Sequence, residues 1–442
     1  MRSSSPCEAP QIDFFDIFSQ LDQQHPLLAL AEHLPWHQLE ADFAKYYSHH
    51  GRGAKPIRLM CGLLILKQLY DLSDESVVAQ WSMNPYYQVF CGERSFQQGP
   101  PCHSTELVKF RQRIGSEGIE TLFGLSVSLH NQAAEETVVL VDTTVQEKAI
   151  TYPTDSKLTI KIINRLNKLA KAQGIQQRRT FVKEVKSLRL ACRHFRHVKR
   201  RRKAKRALTR LRTIAGILLR ELQRKLPEQV LTDEAKRFAL YDRVLAQQPK
   251  DKDKVYSLHE PEVYCIGKGK DHIAYEYGRK ASVVSTLTSQ VIVGVVSHDT
   301  HEHDSKTLKP ALDAAHRHRQ TAIDLAVTDR SRGCQQHVET QVLLPNRPLK
   351  RDTQTQRERK RVLCRKRAAI EPIIGHLKHD FRLQRNWLKG SQGDAINLLM
   401  AACAWNLRKW MVAFFLALFI GLIGHYGVLQ NTTGTHYHWV MT

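Results

Sequence analysis

Two short apolar runs, each leading into an aspartate, constrain the fold of this chain more than any other feature. The first run is residues 137–141, TVVLV, and it is followed at once by Asp142. The second is residues 322–327, AIDLAV, and it is followed after one threonine by Asp329. Short, continuous apolar runs of β-branched type are typical of strands that are buried on both faces. Each run therefore predicts a buried strand with a carboxylate where the strand ends.

The second run contains a rival carboxylate, because Asp324 lies inside it. A carboxylate inside a buried strand has poor access to solvent, whereas one at the exit of the strand is accessible. We therefore prefer Asp329 over Asp324 as the second functional carboxylate. Glu147 and Asp155 follow Asp142 closely, and we expect both to be solvated.

A glutamate on a basic helix extends the pattern. The segment RAAIEPIIGHLKHDF, residues 367–381, predicts a helix. At about 100° per residue, Arg367, Glu371 and Lys378 fall on one face of that helix. A metal-binding glutamate flanked by the cations Arg367 and Lys378 suits binding of DNA phosphate, although the same spacing also fits an ordinary surface ladder of ion pairs. Glu358 is a weaker candidate for the third carboxylate, because it lies in a basic stretch that we expect to be a loop.

The order of predicted elements indicates an α/β fold with a mixed sheet. A strand with a carboxylate is followed by a hairpin (residues 281–298), a helix, the second strand with its carboxylate, a basic loop, and the helix with its glutamate. Carboxylates on neighbouring strands and on a facing helix can hold two Mg²⁺ or Mn²⁺ ions about 4 Å apart. Such a pair of ions suits cleavage of a phosphodiester. Asp142, Asp329 and Glu371 are therefore candidate metal ligands and catalytic residues.

The charge of the chain is high and localised. The 442 residues carry 67 Lys and Arg against 43 Asp and Glu, a net charge of +24. The window 155–225 has 24 basic and 3 acidic residues, and the window 347–369 has 10 and 2. Localised positive charge favours a polyanionic partner, with nucleic acid ahead of an anionic membrane surface. The basic run Lys199, Arg200, Arg201, Arg202 and Lys203 is the densest part of this predicted DNA-binding surface.

The first 135 residues are expected to form a helical N-terminal domain. Pro56 opens a core helix, Ser73 caps a second helix that ends at Asn84-Pro85, and a third helix begins after Ser104 and stops at Gly115. The outer face of the third helix carries basic side chains, which we predict to contact DNA, although a merely solvated face has the same composition. These side chains are Lys109, Arg111 and Arg113.

Cysteine spacing and the apolar stretches indicate the cellular compartment of the protein. The nine cysteines form no CxxC pair, which argues against a disulfide framework or a zinc ribbon and fits a reducing cytosol. The N-terminus lacks the apolar run of a signal peptide. Residues 411–424, MVAFFLALFIGLIG, are too few to cross a bilayer, which takes about 20. We therefore expect no membrane partner, and a buried helix that continues one begun near Ala395.

The segment His298–Asp304, HDTHEHD, resembles a set of metal ligands. Imidazole ligands favour Zn²⁺ or Ni²⁺. A hydrophilic turn after a strand has the same composition, and we prefer that interpretation.

Several segments identify a family resemblance. LVDTTVQEKAITYPTDSKL, YEYGRKASVV, VTDRSRG and RAAIEPIIGHLKHDFRLQRNWLKGSQGDAINLLMAACAWNLRKW resemble transposases of bacterial insertion sequences of the IS-five-like group. The N-terminal RLMCGLLILKQLYDLSDESVVAQWSMNPYYQVFCGE and LVKFRQRIG resemble that group's N-terminal domain. The resemblance covers roughly residues 10–410. It implies an RNase H-like catalytic core, with Asp142, Asp329 and Glu371 as the metal-binding carboxylates.

Two positions depart from the pattern of the group. A signature around the third carboxylate has tyrosine, arginine, glutamate and lysine; Arg367, Glu371 and Lys378 match it, but Cys364 stands at the tyrosine position. After the second carboxylate the group usually has Asp-Arg-Gly-Tyr-Arg-Gly, whereas this chain has DRSRG at 329–333 and lacks one residue. Because the loop is shorter next to the second carboxylate, an inactive copy of such an enzyme is an alternative interpretation of this chain.

The predicted organisation has five parts. These are a helical N-terminal domain that binds DNA ends (1–135), the first part of the catalytic core (136–154), a basic helical insertion (155–254), the second part of the core (255–410), and an apolar helix with a tail (411–442). Double-stranded DNA is the predicted partner, and a homodimer or higher oligomer is expected because two element ends must meet. The alternatives are a nucleic-acid-binding protein without catalysis and a nuclease without strand transfer.

Overall fold

The structure is a computed structural model that describes residues 16–48, 50, 53–267, 274–329, 338–345 and 351–432, without the side chains of 196, 304 and 417–432. The helices are α1 Pro26–His33, α2 Trp36–Phe43, α3 Ile57–Leu69, α4 Asp74–Trp81, α5 Pro85–Phe90, α6 Ser104–Ser128, α7 Asp155–Ala172, α8 Val182–Cys192, α9 Arg201–Lys225, α10 Glu228–Ala246, α11 Asp304–His316, α12 Gln354–Lys366, α13 Ile370–His379 and α14 Gly390–Thr432. The strands are β1 Val138–Glu147, β2 Tyr264–Gly267, β3 Tyr275–Thr286, β4 Ile292–Ser297, β5 Leu325–Val327 and β6 Gln341–Leu343.

The strands form one mixed sheet, as the order of elements predicted. The strand order is β2-β3-β1-β5-β6, and β4 pairs with β3. Parallel pairing joins β1 to β5 and β5 to β6, while β3 pairs with β2 and with β4 in the antiparallel direction. The predicted hairpin is therefore confirmed as β3 and β4. The predicted α/β class is also confirmed.

The chain separates into two compact units. One unit comprises Met1–Gln146 and Lys280–Thr442, and the other is Glu147–Arg279. In the second unit, α7, α8, α9 and α10 share an apolar core that includes Ile162, Leu166, Leu218 and Phe238. The first unit has its own core, which joins the N-terminal helices, the central strands and α14. The expected insertion, 155–254, lies inside the second unit.

Strand β1 is longer than its apolar run predicted. We expected the strand to end in Asp142, but the structure continues it through Asp142 to Glu147. Val145 and Gln146 are buried on this extension, and the Gln146 amide donates to the Asp394 carboxylate over 3.0 Å. The polar residues Asp142 and Thr143 interrupt the apolar pattern without ending the strand, because backbone pairing does not depend on side-chain polarity.

Most predicted features of the N-terminal helices are confirmed, with corrections at Asn84 and at Gly115. The Ser73 hydroxyl accepts the backbone N–H of Ser76 and caps α4, as expected. Asn84, however, does not end α4, because that helix stops at Trp81. The Asn84 side chain instead caps the start of α5. The helical path breaks at Gly115, where φ is 62°, and then resumes to Ser128. Only glycine adopts this left-handed conformation without strain.

Arg111 does not belong to the exposed face of α6. Its side chain is only 6% exposed, and its guanidinium donates to both carboxylate oxygens of Asp74. Burial by itself raises the pKa of Asp74, but hydrogen bonds and charges from Arg111 and Lys67 outweigh burial and lower the pKa to about 2. The expected position of Arg111 on the outer face of the helix is therefore wrong, because α6 turns this residue into the protein while Lys109 and Arg113 remain exposed.

The basic stretch before α13 is helical, which contradicts the expected loop. The Thr353 hydroxyl accepts the backbone N–H of Gln356, and the Gln356 side chain accepts the backbone N–H of Thr353. This reciprocal capping box satisfies two otherwise unpaired donors at the start of α12. Glu358 lies on α12 and is exposed. The basic side chains of this stretch are therefore presented on a regular helix.

The apolar C-terminal stretch continues α14, as expected, but its first part is not buried. Val412, Phe415 and Leu416 are each more than half exposed. Helix α14 begins at Gly390, earlier than the expected Ala395. Among the described residues, no helix is long and apolar enough to span a membrane.

Candidate active site

Asp142 lies on β1, and Asp329 follows the end of the neighbouring parallel strand β5. In the register of β1 and β5, Leu140 is paired with Val327. Each aspartate follows its member of this pair by two residues. Because side chains alternate along a strand, Asp142 lies on the same face of β1 as Leu140. The register of the two strands thus brings both aspartates to one level of the sheet.

The third carboxylate is brought to this level by a small apolar cluster. Leu140, Val327 and Ile370 are fully buried and contact one another in this cluster. Ile370 is the first residue of α13, and Glu371 follows it. The cluster therefore fixes the start of α13 against the two strands that carry the aspartates. The sequence analysis missed these supporting residues, although the i, i+2 spacing to each aspartate was visible.

Arg367 contacts all three carboxylates. It lies in the 3₁₀ turn Arg367–Ala369 that joins α12 to α13. Its Nη1 lies 3.7 Å from Asp142 Oδ2, and its Nη2 lies 4.0 Å from Asp329 Oδ1 and 3.5 Å from Glu371 Oε1. One guanidinium therefore gathers the predicted triad around a single positive group. The predicted face shared by Arg367 and Glu371 is present, although Arg367 precedes the α-helix proper.

The three carboxylates differ in exposure. The side chain of Asp142 is 20% exposed, whereas those of Asp329 and Glu371 are 62% and 65% exposed. Burial raises the pKa of Asp142 above its ordinary value, and the charges of Asp329 and Glu371 act in the same direction. The backbone N–H of Thr143, which donates to Asp142 Oδ1 over 2.8 Å, and the charge of Arg367 oppose this increase. Asp142 is therefore the fixed member of the set, and the other two face solvent.

The donor set matches a hard divalent cation, although the side chains are spaced more widely than metal ligands. Across the described residues, no group of three or more His, Cys, Asp or Glu side chains lies close enough to hold a metal ion. Three carboxylates nevertheless converge on one cation, the guanidinium of Arg367. Mg²⁺ and Mn²⁺ prefer oxygen ligands of this kind. The residues fit such ions by chemistry and by the positive group they already surround.

The rival carboxylates lie elsewhere. Asp324 precedes β5, and its backbone carbonyl accepts the N–H of Gln341. Its side chain is exposed at the opposite end of β5 from Asp329. Glu358 accepts a hydrogen bond of 3.1 Å from the amide of Gln354, which lies one turn earlier on α12.

Lys378, the predicted basic neighbour of Glu371, is half-buried in the last turn of α13.

The other basic residues that we predicted to bind DNA lie on two exposed surfaces. Lys109 and Arg113 line a cleft of about 1270 Å³ in the N-terminal helices, together with Tyr47 and Lys55. The Arg113 guanidinium lies 4.7 Å from the centre of the Tyr47 ring. In the other unit, the basic run 199–203 is exposed across a 3₁₀ turn and the first turn of α9.

The histidine-rich segment has structural partners. His298 is buried and its Nε2 lies 2.8 Å from the Ser282 hydroxyl. His303 caps α11 by accepting the backbone N–H of Ser305. These contacts favour the turn that we preferred over a metal site. The shortened loop after Asp329 falls within residues 330–337, which lie outside the described residues.

Cys364 occupies the position at which related sequences have tyrosine. It is half-buried on α12, and burial raises the pKa of its thiol while the charge of Arg367 lowers it. The residue thus lies near Arg367, on the helix that precedes the 3₁₀ turn. A thiol is a much weaker hydrogen-bond donor than a phenol.

Comparison with known proteins identifies transposase domains in this chain. A family model described as a transposase domain matches residues 15–113, and one described as a transposase DDE domain matches residues 235–407. Asp329 and Glu371 lie within the second match, whereas Asp142 lies outside both. The chain is 38% identical over 205 residues to a Rhizobium meliloti protein named uncharacterized protein ORF8 in nfe locus, covering 99% of that protein and 45% of this chain. No solved structure matches.

The two matched domains define a transposase. The chain belongs to the DDE transposase family. Members of this family act on DNA and generally use divalent metal ions.

Proposed function

We propose that this chain is an insertion-sequence transposase of the IS-five-like group that cuts and joins DNA at Asp142, Asp329 and Glu371, within an RNase H-like core. The observation that carries the proposal is the convergence of these three carboxylates, from two strands and one helix, around Arg367. The proposed reaction is hydrolysis of a phosphodiester that frees a 3′-hydroxyl, followed by attack of that hydroxyl on target DNA. Transesterification of this kind requires no ATP.

The triad would hold two Mg²⁺ or Mn²⁺ ions. When bound, such ions activate the attacking oxygen and stabilise the leaving oxyanion. The half-buried Asp142 fixes the position of the site on the sheet, and the exposed Asp329 and Glu371 adjust around it. Arg367 and Lys378 lie on the same segment as Glu371 and would bind DNA phosphates beside it.

The exposed basic surfaces would hold the DNA. The cleft lined by Lys109 and Arg113 lies in the N-terminal domain, which we propose binds the ends of the element (1–135). The helical insertion (155–254), with its exposed run at 199–203, would bind the phosphate backbone without sequence preference. The catalytic core would comprise 136–154 and 255–410, followed by the C-terminal helix and tail (411–442). Joining two ends requires at least a homodimer during reaction.

One sequence observation favours a second candidate, an inactive copy of such an enzyme. The loop after Asp329 is one residue shorter than is usual in the group. A shorter loop beside the second carboxylate changes where that carboxylate can lie. An inactive copy would still bind DNA through its basic surfaces.

Incubating the protein with labelled element ends and a target plasmid tests the proposal. The proposed enzyme cuts the ends and yields joined products when Mg²⁺ or Mn²⁺ is present. Ca²⁺ should support binding without efficient cutting, because its longer and looser coordination misplaces the reacting oxygens. Cut ends without joined products would indicate a nuclease. Binding without cutting in any metal would indicate an inactive copy or a purely binding protein.

A further inference from the structure

A positive group already occupies the centre of the triad. The guanidinium of Arg367 presents Nη1 to Asp142 and Nη2 to both Asp329 and Glu371. Its side chain is only 16% exposed. Three neighbouring carboxylates repel one another. A positive group among them offsets this repulsion and allows them to face a common centre.

We propose that Arg367 is a positioning residue that takes the place of the metal ions when none is bound and must move when they bind. This inference rests on the proposed function, because it takes the triad to be the metal site. Arg367 then holds Asp142, Asp329 and Glu371 facing a common centre before metal arrives. Divalent ions compete with Arg367 for the same oxygens.

The distances support displacement rather than coexistence. Mg²⁺ binds carboxylate oxygens at about 2.0–2.1 Å. The guanidinium nitrogens lie 3.5 to 4.0 Å from the three carboxylates. The carboxylates must therefore move towards one another to hold an ion, and they can do so only if the guanidinium leaves the space between them.

The contacts of Arg367 are also of a kind that can be exchanged. Only the contact with Glu371, at 3.5 Å, is short enough to count as a hydrogen bond, and it is at the limit. The contacts with Asp142 and Asp329 are charge interactions at longer range.

Displacement from the triad would allow Arg367 to bind a DNA phosphate. A guanidinium released from the triad remains beside it, since the 3₁₀ turn and the buried Ile370 fix the backbone there. The planar guanidinium matches phosphate oxygens in a bidentate manner. Metal loading would thus free a phosphate-binding group next to the scissile bond.

Mn²⁺ binding to the full-length protein without DNA tests this inference. The free Mn²⁺ signal in electron paramagnetic resonance gives the dissociation constant for the wild type, Arg367→Gln, Arg367→Lys and Arg365→Gln. Arg365 is exposed on α12 and supplies the matched loss of one arginine charge nearby. Asp142→Asn, alone and combined with Arg367→Gln, identifies the binding that belongs to the triad.

We expect Arg367→Gln to bind Mn²⁺ at least about fivefold more tightly, which is the lower end of typical coupling between sites. Arg365→Gln and Arg367→Lys should retain the wild-type affinity, because each leaves a cation at position 367. Without metal, Arg367→Gln should also melt at a lower temperature than Arg365→Gln, because the carboxylates have lost their counter-charge. Mn²⁺ should restore more of the melting temperature in Arg367→Gln than in the wild type.

Two contrary results are distinguishable. If Asp142→Asn removes Mn²⁺ binding but Arg367→Gln binds no more tightly than the wild type, Arg367 does not compete with metal, while the triad remains the metal site. If neither the wild type nor Arg367→Gln shows binding that depends on Asp142, the metal site of the proposed function is wrong, and the inference is wrong with it.

Discussion

Asp142 and Asp329 each lie two residues beyond a register pair, Leu140 and Val327, that joins two parallel strands. Strand β1 continues past Asp142, whereas β5 ends at Val327. Asp142 is thus held within a strand and is mostly buried, and Asp329 extends from a strand end and is 62% exposed. The two carboxylates share a level on the sheet but differ in exposure to solvent.

The buried pair of Arg111 and Asp74 predicts a loss of stability without a specific loss of DNA binding. Arg111→Ala leaves the Asp74 carboxylate without its bidentate donor, and breaking a mostly buried pair costs about 3 kcal/mol or more. Chemical denaturation and end-DNA affinity should be measured together. Lys109→Ala with Arg113→Ala should do the reverse, weakening binding while stability is kept. A stable Arg111→Ala that binds DNA poorly would contradict this account.

The pKa of Asp74 adds a pH dependence to the same pair. Because the pKa is lowered to about 2 in the folded protein, the carboxylate contributes stability above its ordinary pKa of 3.8. That contribution is lost as the pH falls from about 4 through about 2. The stability difference between wild type and Arg111→Ala should therefore persist from pH 7 to pH 5 and shrink below pH 4. An unchanged difference at pH 2 would be contrary evidence.

The apolar cluster under the triad predicts that Ile370→Ala destabilises the protein. Ile370 is fully buried and packs in one cluster with Leu140 and Val327. Truncation of its side chain therefore leaves a cavity that costs about 2–5 kcal/mol. Val362→Ala on α12 is the matched control, because Val362 is 48% exposed. Denaturant titration measures both variants. Equal small effects would show that the start of α13 is not held by this cluster.

The exposed basic run at 199–203 predicts a salt-dependent share of DNA affinity. Each phosphate contact that is lost should flatten the slope of log affinity against log salt by about 0.9. Replacing all five residues with alanine should therefore weaken binding most at low salt. Replacing the exposed Lys250 and Lys252, which lie outside the run, should change the slope less. An unaltered slope in the five-alanine variant would mean that the run contacts protein rather than DNA.

The shortened loop after Asp329 predicts impaired cleavage. Replacing Ser331 with Gly-Tyr restores the length that is usual in the group. If the shorter loop displaces the second carboxylate, cleavage of element ends should increase, while DNA affinity should be unchanged. Replacing Ser331 with glycine alone controls for flexibility without added length. Robust cleavage by the unmodified chain, with no gain from the insertion, would show that the short loop is tolerated.

Local patterns predicted the elements well and their surroundings less well. The apolar runs identified β1 and β5, and the register between them could not be read from either run alone. Arg111 was misplaced because charge on a helix does not show which face turns inward, and its burial depends on Asp74, 37 positions away in the chain. The exposed face at Val412 was misjudged because apolarity predicts burial only where another element covers it.

The most direct test of the account is the cleavage activity of Asp142→Asn, Asp329→Asn and Glu371→Gln on labelled element ends. Each change keeps the size of the side chain and removes one charge, so a packing role would tolerate it. The account predicts that each variant binds the ends and neither cuts nor joins them, while Asp324→Asn keeps most of the activity. If all three variants still cut DNA, or if Asp324 is essential and Asp329 is dispensable, the assignment of the triad is contradicted.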